Sequence, residues 1–438
     1  MDLDCVDTAF DRLTSAFASN REVLHAVACK AVPLPSLLRR FAEAGAGCEV
    51  ASPGELELAL SAGFAPDHIV FDSPAKTWAE LCRAVDLGVS INVDNFDELA
   101  RLDTILADRN STAATAASAK IGIRINPQSG TGAIGALSTA TETSKFGIGL
   151  ADPGAREALI EAYIARPWLS QIHVHSGSQG ITLAKAAVGI RAAVDLAEEI
   201  NSRASTRRIT RIDIGGGLSV NFDGEDITPT FAVYRSVLEE EVPGLFDFDI
   251  VTEFGRALLA KAGTILTRVE YAKTTGGRRI VMTQAGVQVA TRTAYAPNDW
   301  PLRILPFTPD GNPKTAEEAE TEIVPTDVAG PACFSGDLLA RDRMLPRLDA
   351  GDLVAVPETG AYYFSNPFSY NLLPRVPIFG YRTAPDGGIE FSLIRRGQTI
   401  AEILAEAGET ELRPLSPANC ALSPHNRETA VDPLAHGS

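Results

Sequence analysis

No run of about 18 consecutive apolar residues occurs in the sequence, so it offers no membrane-spanning helix of ordinary length. The opening MDLDCVDTAF has neither a basic n-region nor an apolar h-region, and a soluble cytoplasmic protein is expected. Basic tracts are missing as well. With 39 Lys and Arg against 56 Asp and Glu, the formal net charge is −17. That balance excludes a nucleic-acid partner as an expectation, because phosphate binding needs clustered cations that displace counterions. The six cysteines, Cys5, Cys29, Cys48, Cys82, Cys333 and Cys420, form no CxxC pair and show no zinc-like spacing, so reduced thiols and no metal are expected. Cys29, Cys48 and Cys82 lie in apolar stretches and are expected to pack there.

What is present is a chain of 438 residues, 45% hydrophobic and 22% charged, long enough for one large domain and a smaller one. From about residue 22 to 263, short β-rich runs alternate with helical patterns, as in a parallel sheet built of βα units. The expected strands are VLHAVAC (23–29), CEVA (48–51), HIVF (68–71), SINV (90–93), KIGIRI (120–125), QIHVH (171–175), ITRIDI (209–214) and DIVT (249–252). Between them lie amphipathic patterns such as PSLLRRFAEAG, SPGELELALSAG and TWAELCRAVDLG, each closing on Gly as a helix end does. Eight strands over about 240 residues is the count and length of a TIM-type (β/α)8 barrel.

After residue 264 the pattern turns to β-rich runs, TILTRVEYAKTT, RRIVMTQAG, DLVAVPETGAYYF, RVPIFGYR and IEFSLIRRG, which predict a separate β domain over 264–412. A disordered tail is expected over 413–438. Three segments read as mobile: 111–119, 129–144 and the acidic stretch 309–322. The second follows a barrel strand and reads equally as an active-site lid or as a plain surface loop.

Barrel chemistry sits at the C-terminal strand ends, which here carry Lys30, Glu49, Asp72, Arg124, His175, Gly215, Gly216, Gly217, Glu253 and Arg256. Lys30 follows an almost wholly apolar strand, where desolvation is expected to lower its pKa and supply the free amine that imine chemistry requires. Alone, it reads as readily as a lysine snorkelling from a strand end. The IGGGL segment offers backbone N–H groups as a nest for a phosphate, though tight turns use such triplets too. Gly255 and Arg256 add donors on the next loop, the usual barrel phosphate position. His173 and His175 share one side of a strand, but spacing shows no third metal ligand, and a stacking imidazole with a phosphate-binding Ser178 fits better.

The ordered motifs HAVACKA, CEVASPGELELAL, INVDNFDEL, TSKFGIGL, HVHSGSQ, DIGGGL, EFGR, AGPACFSGDLLARD and GAYYFSNPFSYN give the chain its resemblance to the fold-type III pyridoxal-phosphate decarboxylases. The resemblance covers roughly residues 10–400 and is nearest to the diaminopimelate type. It implies that Lys30 carries pyridoxal 5'-phosphate as a Schiff base, with Glu49 and Arg124 in the cofactor site and His175 stacked on the ring. Ser178, Gly215, Gly216, Gly217, Gly255, Arg256 and Tyr362 would hold the phosphate. Glu253 would face the pyridine nitrogen, which favours decarboxylation because a protonated ring is the stronger electron sink. A racemase or epimerase of the same fold is the alternative activity. Cys333 would reach across a homodimer interface and donate a proton to the reacting carbon. A buried core cysteine is the plain alternative there.

Four departures from the family pattern stand out, and the first bears on substrate. Such enzymes carry an acidic residue directly after this cysteine to bind the substrate's distal amino group, and here it is Phe334. A benzyl group cannot pair with an ammonium, and an unpaired buried charge costs several kcal/mol, on the order given by transfer data. Arg292 falls near the arginine that binds the distal carboxylate. Unless another carboxylate substitutes, a substrate-binding set of Arg292, Tyr295, Phe334 and Asp337 is therefore expected to take an amino acid or conjugate with a distal carboxylate or a bulky, less basic side chain, such as the citrate-linked amino acids of siderophore assembly, rather than meso-diaminopimelate. Glu49 also stands for the usual Asp, and Val32 for a common Asn. The chain begins at its first helix without the short leading strand of such enzymes, which a misplaced start or a trimmed domain would explain.

Overall fold

The computed structural model describes residues 1–109, 120–315 and 322–408. All eight expected barrel strands are observed: β1 (Val23–Ala28), β2 (Gly47–Val50), β3 (Ile69–Phe71), β4 (Ser90–Val93), β5 (Ile121–Asn126), β7 (Leu169–Val174), β8 (Arg211–Asp213) and β9 (Asp249–Thr252), with a two-residue strand β6 (Ile148–Gly149) added at the end of β5. Every neighbouring pair is parallel, and pairing of β1 with β9 and of β4 with β5 closes the ring. The strands are buried on both sides, which is why they read as continuous apolar runs rather than alternating ones.

The outer helices start and stop where local chemistry dictates. Thr77 and Glu80 form a reciprocal capping box before the helix Trp78–Leu87, and Gly88, at φ 77°, closes it in a left-handed conformation that costs a residue without Cβ nothing. Ser52 caps Pro53–Ala62 in the same manner, accepting from the Glu55 N–H. Their inward faces, Leu56, Ala59, Leu81 and Ala84 among others, join one continuous core around the barrel.

The β-rich half is a six-stranded sheet, β10 (Ile265–Thr275), β11 (Arg278–Thr283), β12 (Leu305–Phe307), β13 (Ile323–Ala329), β14 (Leu338–Pro346) and β15 (Leu353–Val356), with its own core of Val269, Val281, Val328, Val354 and neighbours. A hairpin of β16 (Ile378–Thr383) and β17 (Ile389–Arg395) pairs apart from it. Three of these strands, β12 to β14, and the helices Thr291–Tyr295 and Ile400–Ala407 were not expected from the sequence.

The segment 129–144 is tied down rather than free. Gly130 N–H donates to Ala140 O, Ser178 N–H to Leu137 O, Asn126 Nδ2 to Thr141 O and the Thr139 hydroxyl to His175 O. It thus leans on the loop after β7, over the barrel mouth. The expected loop 111–119, the core of the acidic stretch 309–322 and the tail 413–438 lie outside the described residues. No described helix is long and apolar enough to cross a membrane.

Candidate active site

Lys30 sits in a single 3-10 turn, Cys29–Ala31, directly after β1, and register pairs Ala28 with Glu49 on β2. This adjacency brings Lys30 Nζ to 2.5 Å from Glu49 Oε1. The expected lowering of the Lys30 pKa is reversed. Burial does push it down and is the largest single influence, but Glu49, Tyr362 and Glu253 together hold it above the ordinary lysine value. Glu49 is fully buried, and that burial pushes its own carboxyl up against the pull of Lys30. About 45% of the Lys30 side-chain surface nevertheless faces the open barrel mouth.

Beneath the lysine runs a chain of buried charges. Arg124 on β5 donates to Asp72 Oδ2 at 3.0 Å, and its guanidinium lies 4.4 Å from the centre of the Phe146 ring. Asp72 Oδ1 is 3.4 Å from His173 Nδ1, whose Nε2 is 3.6 Å from Glu253 Oε2. Burial favours protonation of Asp72, but Arg124 and His173 overrule it and hold that carboxyl well below its usual range. Glu253 has the opposite fate. Burial, with Asp213, Asp72 and Glu49 nearby, pushes it well above the usual range, and its Oε1 has no partner among the described residues. His173, Asp72 and Phe146 received no site role from the sequence, although Asp72 already stood at a strand end.

His175 lies just past β7 and accepts the Gly216 N–H at Nδ1, 3.1 Å away. Burial and the charges of Arg124, His173 and Lys30 depress its pKa, so the ring is neutral near pH 7. His173, His175 and Glu253 bring ligand atoms within 4.8 Å of one another. Glu253 is thus the third neighbour that the local HVH spacing could not display.

The glycine triplet is only partly the nest expected. Gly215 N–H donates to Asp213 and Gly216 N–H to His175, leaving the Gly217 amide without an acceptor among the described residues. Close approach is the stronger demand here: a Cβ on Gly216 would stand 2.3 Å from Glu253 O, and one on Gly217 2.0 Å from Gly177 O. Ser178 spends its amide on Leu137 O at 3.1 Å.

Above these loops, Arg256 and Arg292 share one aromatic box. The Arg256 guanidinium lies 4.6 Å from Trp300 and 4.7 Å from Tyr362, and that of Arg292 5.2 and 5.0 Å from the same rings. Arg256 Nε and Nη1 and Arg292 Nη1 are buried without an acceptor among the described residues. Burial lowers the Arg256 pKa to about 10 and that of Arg292 in the same direction. Two desolvated guanidiniums without a carboxylate call for an anion from outside the chain. Gly255, whose position leaves 3.0 Å between a built Cβ and the Tyr362 hydroxyl, adds an amide beside them. Trp300 carried no sequence signal, since it stands in an irregular segment without periodicity.

Arg292, Tyr295 and Trp300, with Ile134 and Leu137 of the 129–144 segment, line a cavity of about 510 Å3. Phe334 stacks on Tyr295 at 5.4 Å with an interplanar angle of 18°, and Phe368 meets Tyr295 edge-on at 5.5 Å. Asp337, expected at the substrate, is turned inward: Oδ1 accepts from Val287 N–H at 2.5 Å and Oδ2 from Ala332 N–H at 2.7 Å. It clasps the loop before β14. Cys333 is exposed, which removes the buried-core reading. Its N–H donates to Asn371 Oδ1 at 2.7 Å, and no described contact joins it to Lys30 within the chain.

Pyridoxal 5'-phosphate fits this arrangement: a half-exposed lysine at the barrel mouth, the unpartnered Glu253 Oε1 below it, and guanidinium and amide donors at the rim that lack acceptors among the described residues. Residues 3–260 match the family model described as pyridoxal-dependent decarboxylase, pyridoxal binding domain. A diaminopimelate decarboxylase of Helicobacter pylori strain J99 is 30% identical over 384 residues, 86% of this chain and 87% of the relative. That of Pseudomonas fluorescens is 32% identical over 399 residues, covering 89% and 88%. The crystal structure of Helicobacter pylori diaminopimelate decarboxylase complexed with L-lysine matches with TM-score 0.77 at 28% identity, over 93% of this chain and 96% of that one. The chain belongs to the pyridoxal-dependent decarboxylases and is a carboxy-lyase that works with pyridoxal 5'-phosphate.

Proposed function

We propose that this decarboxylase removes the α-carboxylate of an amino acid or amino-acid conjugate whose distal end carries a carboxylate and no free ammonium. When bound, the cofactor supplies the electron sink for the pair left as carbon dioxide departs. The chain's residues do the rest. Lys30 holds the cofactor, with Glu49 keeping a proton at the lysine nitrogen. Glu253 holds a proton at the pyridine nitrogen, for which its unpartnered Oε1 is suited. Neutral His175 packs against the ring, Arg124 steadies Asp72 beneath it, and Arg256, Tyr362 and the amides of Gly217 and Gly255 bind the phosphate. Cys333, supplied by the second subunit of a homodimer, gives a proton to the α-carbon.

The observation that carries the substrate reading is the Phe334–Tyr295 stack beside Cys333. By the family resemblance a carboxylate directly after this cysteine would meet a distal ammonium; here that residue is Phe334, stacked on Tyr295, and Asp337, the acid nearest in sequence, is committed to backbone N–H groups. Arg292 faces the same cavity with an unpartnered Nη1 and suits an anionic end. A second reading, meso-diaminopimelate itself, is favoured by the names of the relatives and by the same arginine.

The test is carbon dioxide release by the holoenzyme from meso-diaminopimelate, lysine, ornithine and citrate- or peptide-linked amino acids, with α-deuterium exchange followed in parallel. Release from carboxylate-ended conjugates above that from diaminopimelate supports the proposal. Preference for diaminopimelate selects the second reading, and exchange without release would indicate racemisation.

A further inference from the structure

We infer that a second anion site lies beside the active-site mouth, in a cavity of about 440 Å3 bounded by Arg375, Arg395, Arg396 and Gln398, and that it takes a small carboxylate- or phosphate-bearing molecule. Three guanidiniums converge there in a chain of strongly negative net charge. Two are neutralised locally: Arg375 Nη2 lies 2.6 Å from Glu406 Oε1, and Arg396 Nη1 donates to Glu402 Oε2 at 2.8 Å. Arg395 has no acid. Its Nη2 donates to Val376 O at 3.2 Å, while Nε is buried with no acceptor among the described residues. Burial and the neighbouring Arg375 both disfavour its charge, the strain that a bound anion would relieve.

The position gives such a ligand leverage. Pro33, three residues after Lys30, and Phe364, two after Tyr362, form the opposite wall. Pro367 lines both this cavity and the one holding Arg292 and Tyr295. An anion here would therefore brace the two loops that present Lys30 and Tyr362. The ligand could be a free metabolite or the far end of a long substrate, since both offer the same carboxylate chemistry.

Calorimetric titration of the cofactor-loaded enzyme with citrate, and separately with inorganic phosphate, tests the site, and because citrate also suits Arg292 the Arg395 variants are compared in an Arg292→Gln background, which keeps the outcome independent of the substrate proposal. In that background Arg395→Gln is expected to weaken binding by about 10-fold or more and Arg395→Lys by less, while replacing the exposed Arg83 by Gln leaves it unchanged. Circular dichroism on each variant separates lost binding from lost folding, and Arg395→Lys keeps the test valid should Arg395→Gln unfold. Binding unchanged in both Arg395 variants, or abolished only by Arg292→Gln, would overturn the inference. In turnover assays, citrate raising KM alone assigns the site to the distal end of the substrate, and citrate changing kcat alone assigns it to a free effector.

Discussion

Lys30 Nζ stands 2.5 Å from Glu49 Oε1 at the joined ends of the first two barrel strands. This contact, and not the apolar strand, decides the charge on the lysine. Replacing Glu49 with Gln removes the main influence that raises the Lys30 pKa and leaves burial to lower it. Cofactor-free Glu49→Gln protein should then regain its visible absorbance on adding pyridoxal 5'-phosphate with a pH profile displaced to lower pH than wild type. An unshifted profile would mean that Glu49 does not control the amine.

Glu253 gives a stability prediction with a definite sign. Its folded-state pKa lies above the unfolded value of about 4.3, so its contribution is full below that value and is lost as pH rises towards the folded pKa. In cofactor-free protein, Glu253→Gln removes this penalty. Melting temperatures should show the variant gaining on wild type progressively as pH rises above about 4.3. Its carbon dioxide release should drop by roughly 100-fold or more, since the proton at the pyridine nitrogen is no longer held by a carboxylate.

If Cys333 serves the partner's site, inactive Lys30→Ala and Cys333→Ala proteins should complement each other. Random exchange of subunits makes half the dimers mixed, each with one intact site, so activity should recover to about a quarter of wild type. Mixtures that stay inactive after exchange, shown by mass-tagged subunits, would place the cysteine elsewhere.

Asp337 should behave as a loop clasp. Asp337→Ala leaves the Val287 and Ala332 N–H groups without their acceptor, at about 1–3 kcal/mol for each. Urea titration should show the loss, and no small side chain can refill the space because Gly286 and Gly330 press against the carboxylate. A variant of unchanged stability with a raised KM would return Asp337 to the substrate.

The barrel was legible because parallel strands buried on both faces leave unbroken apolar runs, and because glycine and capping residues mark the helix ends between them. Its site was legible for the same reason: the C-terminal end of each strand displays one polar residue in a short window. What escaped reading depends on distance across the fold. Glu253 joins His173 only when the ring closes, and Trp300 becomes meaningful only where Arg256 and Arg292 meet it. Lys30 was misjudged for its charge because burial was visible in sequence and its carboxylate neighbour across the strand was not. The close approach that the glycines of IGGGL permit was not legible either: two of their amides donate within the protein, and two of their missing side chains make room for neighbouring backbone, while the Gly217 amide is left for the proposed phosphate. In β12 to β14 the signal was weak because proline, charge and a register shift interrupt the alternation.

The proposed substrate choice rests on Phe334, and Phe334→Glu tests it most directly. Steady-state carbon dioxide release from meso-diaminopimelate should rise about 10-fold or more in kcat/KM over wild type, as a carboxylate meets the distal ammonium, while release from carboxylate-ended conjugates falls. Wild-type enzyme that already turns over meso-diaminopimelate better than any such conjugate, and loses that activity in Phe334→Glu, would refute the assignment.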